Sequence, residues 1–229
     1  MNVRRLTFLG VAAAVLLFAH CRQAEAVKEI DGDTLSERLR YESERSVPPH
    51  LSIAVREAEN AGSAAVPELL QAVRSKDAAS FLALVALARL DRNTYDALPL
   101  ASKREILIAA LGRHSTFNAW GHPWLGSTES SDLLIGLGPA ALPGLQSLFA
   151  DNRFAPLIGP ATLRSSIDAR LRVKDIAAHL AARIMGVQLA FDDDPALRDR
   201  AIDQLSRRIS AKRPAPANPD SSPGRNSAL

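Results

Sequence analysis

Cysteine is nearly absent from this sequence: Cys21 is the only one among 229 residues. A single thiol cannot form an internal disulfide, and the cysteine spacings of zinc sites and redox pairs do not arise. Aromatic residues are scarce too, at 5%, so the core must be built from aliphatic side chains. No segment alternates apolar and polar residues over more than four positions, as a half-buried strand would. The chain has no glycine-rich phosphate loop, no Gly-x-Ser-x-Gly elbow, no His-x-x-x-His pair and no basic, aromatic face suited to nucleic acid. These gaps leave no basis for a catalytic residue, a bound metal or a cofactor, and the expected protein is not an enzyme.

The only long apolar run, Leu6 to Ala19, follows Arg4 and Arg5, and Ala24-Glu25-Ala26 supplies a small-x-small cleavage pattern. Its length of about fourteen residues is short of the roughly 20 needed to span a bilayer. Residues 1–26 are expected to be a secretory signal, with the mature chain starting near Val27 and exported to the periplasm or beyond. Leu17-Phe18-Ala19-His20-Cys21 is similar to the lipobox of bacterial lipoproteins, although His20 stands where that motif has a small residue. Lipidation of Cys21 and an uncleaved anchor are the alternatives, and lipidation would tether the chain to a membrane. Loss of Arg4, Arg5, Arg22 and Glu25 with the signal lowers 28 basic and 25 acidic residues to 25 and 24. A mature chain so close to neutral has no net field to steer it onto nucleic acid or an anionic membrane.

What the sequence does contain is a repeat. Gly62-Ser63-Ala64-Ala65-Val66-Pro67-Glu68-Leu69 returns as Gly138-Pro139-Ala140-Ala141-Leu142-Pro143-Gly144-Leu145. The Gly, both Ala, the Pro and the Leu coincide. Each copy is followed by a second apolar stretch at helical spacing, about 78–90 and about 169–185. In the first of these, Phe81, Leu82, Leu84, Val85, Leu87 and Leu90 leave no polar face, as in a helix buried between neighbours. The second has Val173, Ile176, Ala177, Leu180, Ala181 and Ile184 on one face.

Punctuation places the remaining elements. Thr34 with Glu37, and Ser102 with Glu105, form capping boxes, the second opening a helix to Leu111 that stops at Gly112. A helix over about 50–60 is expected to end at Gly62 in the left-handed conformation. Pro67 falls in a first turn, where its missing N–H costs little. Asp77, Asp168 and Asp194 are candidate helix caps, and Gly186 is a candidate stop. A short helix is expected over about 129–137, and a last one over about 195–210 with Ile202, Leu205 and Ile209 inward. The fold class is all-α, with one helical domain over 27–211. Residues 212–229 are too poor in apolar groups to fold and are expected to be a disordered tail.

Gly138 to Leu145, Asp151, and Val173-Lys174-Asp175-Ile176-Ala177-Ala178 together resemble HEAT repeats. In that family the Ala pair permits close helix packing and the Pro marks the first helix. Arg usually stands where this chain has Lys174, and only a few residues join the two helices, unlike the excursion 152–169. The resemblance covers roughly 70 of the 229 residues. It implies a right-handed α-solenoid of about three to four stacked helix pairs with atypical ends. It also implies a scaffold or adaptor, without specifying a partner.

Two stretches are candidates for contact with a protein or peptide partner. Phe117, Trp120, His122 and Trp124 concentrate both tryptophans of the chain in one loop, and tryptophan is enriched at binding hot spots. The loop is either such a contact or a long connection pinned to the core by its rings. His122 has only His114 near it in sequence, which is too little for a metal site. Arg172, Asp175, His179 and Arg183 recur three and four apart, so they share a helix face. They form either a grip for an acidic group, with Asp175 orienting His179, or a solvated, salt-bridged face. Asp31-Gly32-Asp33 and Asp192-Asp193-Asp194 complete no calcium loop. The expected function is a non-catalytic exported scaffold or adaptor. The rival readings are a small-molecule binder or unrecognised enzyme with a pocket under the aromatic loop, and a structural element of an envelope assembly.

Overall fold

The computed structural model describes residues 34–113, 117–121, 126–155 and 171–212. Among them every regular element is a helix, and Phe154 forms an isolated antiparallel bridge with Arg172. No single helix among the described residues is long and apolar enough to cross a membrane. The expected signal over residues 1–26 with Cys21, Asp31-Gly32-Asp33, Asp168 and the residues beyond Lys212 lie outside these residues. The chain divides between Ile106 and Leu107 into two compact units.

The first unit contains α1 (Leu35–Glu44), α2 (Ile53–Ala61), α3 (Val66–Ser75), α4 (Ala79–Leu90) and α5 (Arg92–Ala97). Thr34 and Glu37 close the expected capping box at α1. Every residue of α4 from Ala79 to Leu87 is buried, because α1, α2, α3 and α5 all pack on it. Each large side chain buried there contributes about 1.5–3 kcal/mol. The N-cap of α4 is Ala78 and not Asp77, which stands one residue further out and accepts from the Ala79 amide through Oδ1 at 2.9 Å. Glu42 is buried in α1, and its carboxylate accepts from the Ser52 hydroxyl and from the Ile53 and Ala54 amides at 3.0 and 3.3 Å. A negative charge at the start of α2 is stabilised by those otherwise unpaired amides and by the helix dipole.

Helix α6 (Leu100–Arg113) corrects an expectation. Ser102 and Glu105 lie inside it, because the chain emerges from α5 and turns into helix straight after Pro99; the Lys103 amide already bonds the Pro99 carbonyl at 3.1 Å. Gly112 continues the helix instead of stopping it. The short α5 itself has little apolar content and escaped the sequence reading. Asp91 caps it through the Thr94 amide at 3.0 Å, and the buried Lys103 ammonium donates to the Tyr95 and Asp96 carbonyls at its other end.

The second unit continues through α7 (Phe117–Trp120), α8 (Glu129–Gly136), α9 (Leu142–Ser147), α10 (Val173–Met185) and α11 (Pro195–Lys212). Here the sequence repeat becomes a structural one. In both copies the Gly has positive φ, +62° at Gly62 and +60° at Gly138. A 3-10 turn follows over Gly62–Ala65 and over Gly138–Ala141. Val66 and Leu142 then share φ −55° and ψ −44°. Leu69 and Leu145 are both fully buried. The offset that carries Gly62 to Gly138 also carries Ser52 to Thr128, and these two cap α2 and α8. The repeated unit therefore starts one helix earlier than the motif.

Gly62 has ψ −141°, so it ends α2 outside the left-handed well, whereas Gly186 sits in that well and stops α10 as expected. Helix α10 starts at Val173 and not near 169. The Ala155 amide donates to the Leu171 carbonyl and the Val173 amide to the Arg153 carbonyl, both at 2.9 Å. This pairing holds the residues before Val173 extended. The second copy therefore contains an excursion whose two ends are tied together, and α9 still packs on α10 as α3 packs on α4. Asp194 caps α11 through the Ala196 amide at 2.8 Å, and Ile202, Leu205 and Ile209 are buried as expected.

Candidate binding surfaces of the second unit

Of the aromatic stretch, Phe117 opens α7, and His122 and Trp124 lie outside the described residues. Trp120 is only 1% exposed. Its ring belongs to the core, which corrects its assignment as a contact residue. The reason lies in how the segment is tied. Thr128 Oγ1 donates to the Ala119 carbonyl at 2.6 Å. Gly121 has φ +78°, and a Cβ there would stand 2.5 Å from the Gly126 carbonyl oxygen. Only glycine allows so close a backbone approach, and the narrow neck it makes holds α7 against α8.

The Arg172–Arg183 stripe separates into two parts. Arg172 is the N-cap of α10, and its backbone amide donates to Asp175 Oδ2 at 2.8 Å. Its guanidinium donates to both Asp175 oxygens at 3.0 Å and reaches Asp199 Oδ1 on α11 at 2.7 Å. Lys174 Nζ also meets Asp199 Oδ1 at 2.7 Å. Arg198, 2% exposed, stands 3.4 Å from Asp175 through Nε and donates to the Asp192 and Asp193 carbonyls. Asp175 is fully buried and anchors this ion cluster. Although burial acts against it, hydrogen bonding from Arg172 and Lys174 holds the Asp199 carboxyl below the usual carboxylate range. Removing one partner from such a cluster is costly, since it leaves buried charge unpaired.

Lys174, Arg198 and Asp199 were not among the candidates from the sequence. A signal was present for Arg198, which occupies the position one turn before Ile202 on the Ile202, Leu205 and Ile209 stripe. A charge at a core position implies a buried partner.

His179 and Arg183 face a different region. The pocket beside them has a volume of about 500 Å³ and is lined also by Ala182 and by residues 187–191. The His179 ring meets Phe191 edge-on, with centroids 5.8 Å apart. Arg183 is exposed, and its single charge partner among the described residues is Asp132 at 3.9 Å. Such an exposed pair contributes little and leaves the guanidinium's donors to solvent.

A second, more apolar cleft of about 440 Å³ opens between α9, α10 and α11. Its walls are Pro139, Leu142, Pro143, Ile184, Met185 and Ile209, with Gln146 and Lys212 adding the polar groups. Gln146 Nε2 bonds Ser206 and Ser210 at 2.9 and 3.0 Å, which fixes α11 against α9 along one edge.

Among the described residues no three His, Cys, Asp or Glu side chains come together as a metal site needs. Compared with protein-family models, with curated proteins and with solved structures, the chain matches none.

Proposed function

We propose that this chain is a non-catalytic exported adaptor, a HEAT-like right-handed α-solenoid that binds a protein or peptide partner on its helical surface. The matching backbone of the two motif copies, each leading into a helix packed on a more buried one, supports the helix-pair reading. The observation that carries the binding role is the apolar cleft between α9, α10 and α11. Six apolar side chains converge there, in a groove open to solvent. Grooves of this kind take apolar anchors from an extended or helical peptide.

The test is selection of binders to the full chain from a random peptide display library, with affinities measured in solution. Enriched peptides should carry apolar anchors, and Met185→Glu should weaken them by about tenfold or more while thermal unfolding stays close to wild type. Failure to enrich any peptide, or affinities indifferent to Met185→Glu, would contradict the proposal.

A further inference from the structure

We infer that the pocket beside His179 and Arg183 recognises a carboxylate attached to an apolar group. Within the adaptor reading, on which this identification rests, the ligand is the free C-terminus of the partner. Arg183 holds a planar fork of donors at the pocket, and its single charge partner among the described residues is Asp132, 3.9 Å away. A guanidinium so placed matches a carboxylate with two parallel hydrogen bonds. Beside the charge, Ala182, Val187, Leu189 and the Phe191 ring supply apolar wall, with Gln188 adding a polar group. A volume of about 500 Å³ accommodates a side chain of leucine size together with neighbouring backbone. His179, edge-on to Phe191, contributes a polar ring to the lining.

The experiment uses the isotope-labelled full chain and follows backbone amide shifts during titration. Its probes are N-acetyl-leucine, N-acetyl-leucinamide, and a hexapeptide ending in leucine with its terminus either free or amidated. The free acids should perturb residues 179–191 and bind about tenfold or more tightly than the amides. Arg183→Gln should remove that preference, and Arg183→Lys, which keeps the charge but not the fork, should lose most of it. The exposed position of Arg183 lets both variants fold. Equal binding of acid and amide, an unchanged preference in Arg183→Gln, or shifts confined to other residues would overturn the assignment. If the hexapeptide acid binds more tightly than N-acetyl-leucine, the ligand is a chain terminus. If the two bind alike, the pocket stands as a site for small organic acids, and the adaptor reading loses its support there. Binding by neither overturns the pocket and leaves the adaptor reading to the apolar cleft.

Discussion

At the scale of single residues, a side chain's type proved a weaker guide than its position in the helical pattern. Trp120 is the residue type expected at an interface, yet it is 1% exposed. Truncating so large a buried ring costs about 3–5 kcal/mol. Trp120→Ala is therefore expected to lower the urea midpoint of the full chain substantially. A variant with unchanged stability would return Trp120 to the list of contacts. The same burial means that lost partner binding in this variant would report unfolding, so Arg183 and Met185 are the better probes of function. Asp175 carries a parallel lesson. Helical spacing placed it correctly beside Arg172, but spacing within one helix cannot reveal Arg198 arriving from another.

At the scale of elements, the legible features were those governed by local chemistry. The Thr34 box, the Asp194 cap, Pro67 in a first turn and the stop at Gly186 all depend on a few neighbouring residues. The misplaced starts of α6 and α10 depend on what the chain does just before. A preceding short helix and Pro99 set the first, and pairing with residues 153–155 sets the second. Gly144 shows how the second motif copy acquired its own constraint. A Cβ there would lie 2.8 Å from Ile108 Cγ1, whereas the first copy has Glu68 at the matching position. Alanine gains about 1 kcal/mol over glycine inside a helix, but overpacking costs about 1–3 kcal/mol. Crowding wins, so Gly144→Ala should destabilise by up to about 2 kcal/mol. Gly136→Ala, where a Cβ meets nothing within 4 Å, should stabilise by about 0.5–1 kcal/mol. Chemical denaturation of the two variants checks the pair, and a stabilising Gly144→Ala would show that α9 can move away from Ile108.

At the scale of the whole molecule, stability should fall in acid. Hydrogen bonds from Thr34 and from Thr94 hold Glu37 and Asp91 below their ordinary values. Arg153 does the same for Asp151. For Asp77 and Asp199 burial opposes the shift, and it is outweighed by hydrogen bonds, led by those from Arg40 and from Arg172 respectively. Each of these groups has a lower pKa folded than unfolded. Its contribution is thus present above the unfolded value of about 4 and is lost as pH falls through the folded one. The unfolding temperature should hold near neutrality and drop steeply below about pH 4. In Asp199→Asn, the deficit relative to wild type should shrink as the pH falls through that range. A deficit independent of pH would remove Asp199 from the account.

The same scale is where sequence reading reached its limit. The repeated motif foretold helices and the two packed pairs, but the cleft is made by residues far apart in sequence, and the Arg183 pocket depends on how residues 187–191 fold back beside the end of α10. Leu142, Met185 and Ile209 meet only because α9, α10 and α11 pack together. No spacing rule joins them. The most direct measurement is therefore amide-shift mapping of a display-selected peptide on the labelled full chain. The adaptor account predicts perturbations centred on residues 139–146, 184–185 and 209–212. Perturbations confined to residues 34–106, or none at saturating peptide, would contradict it.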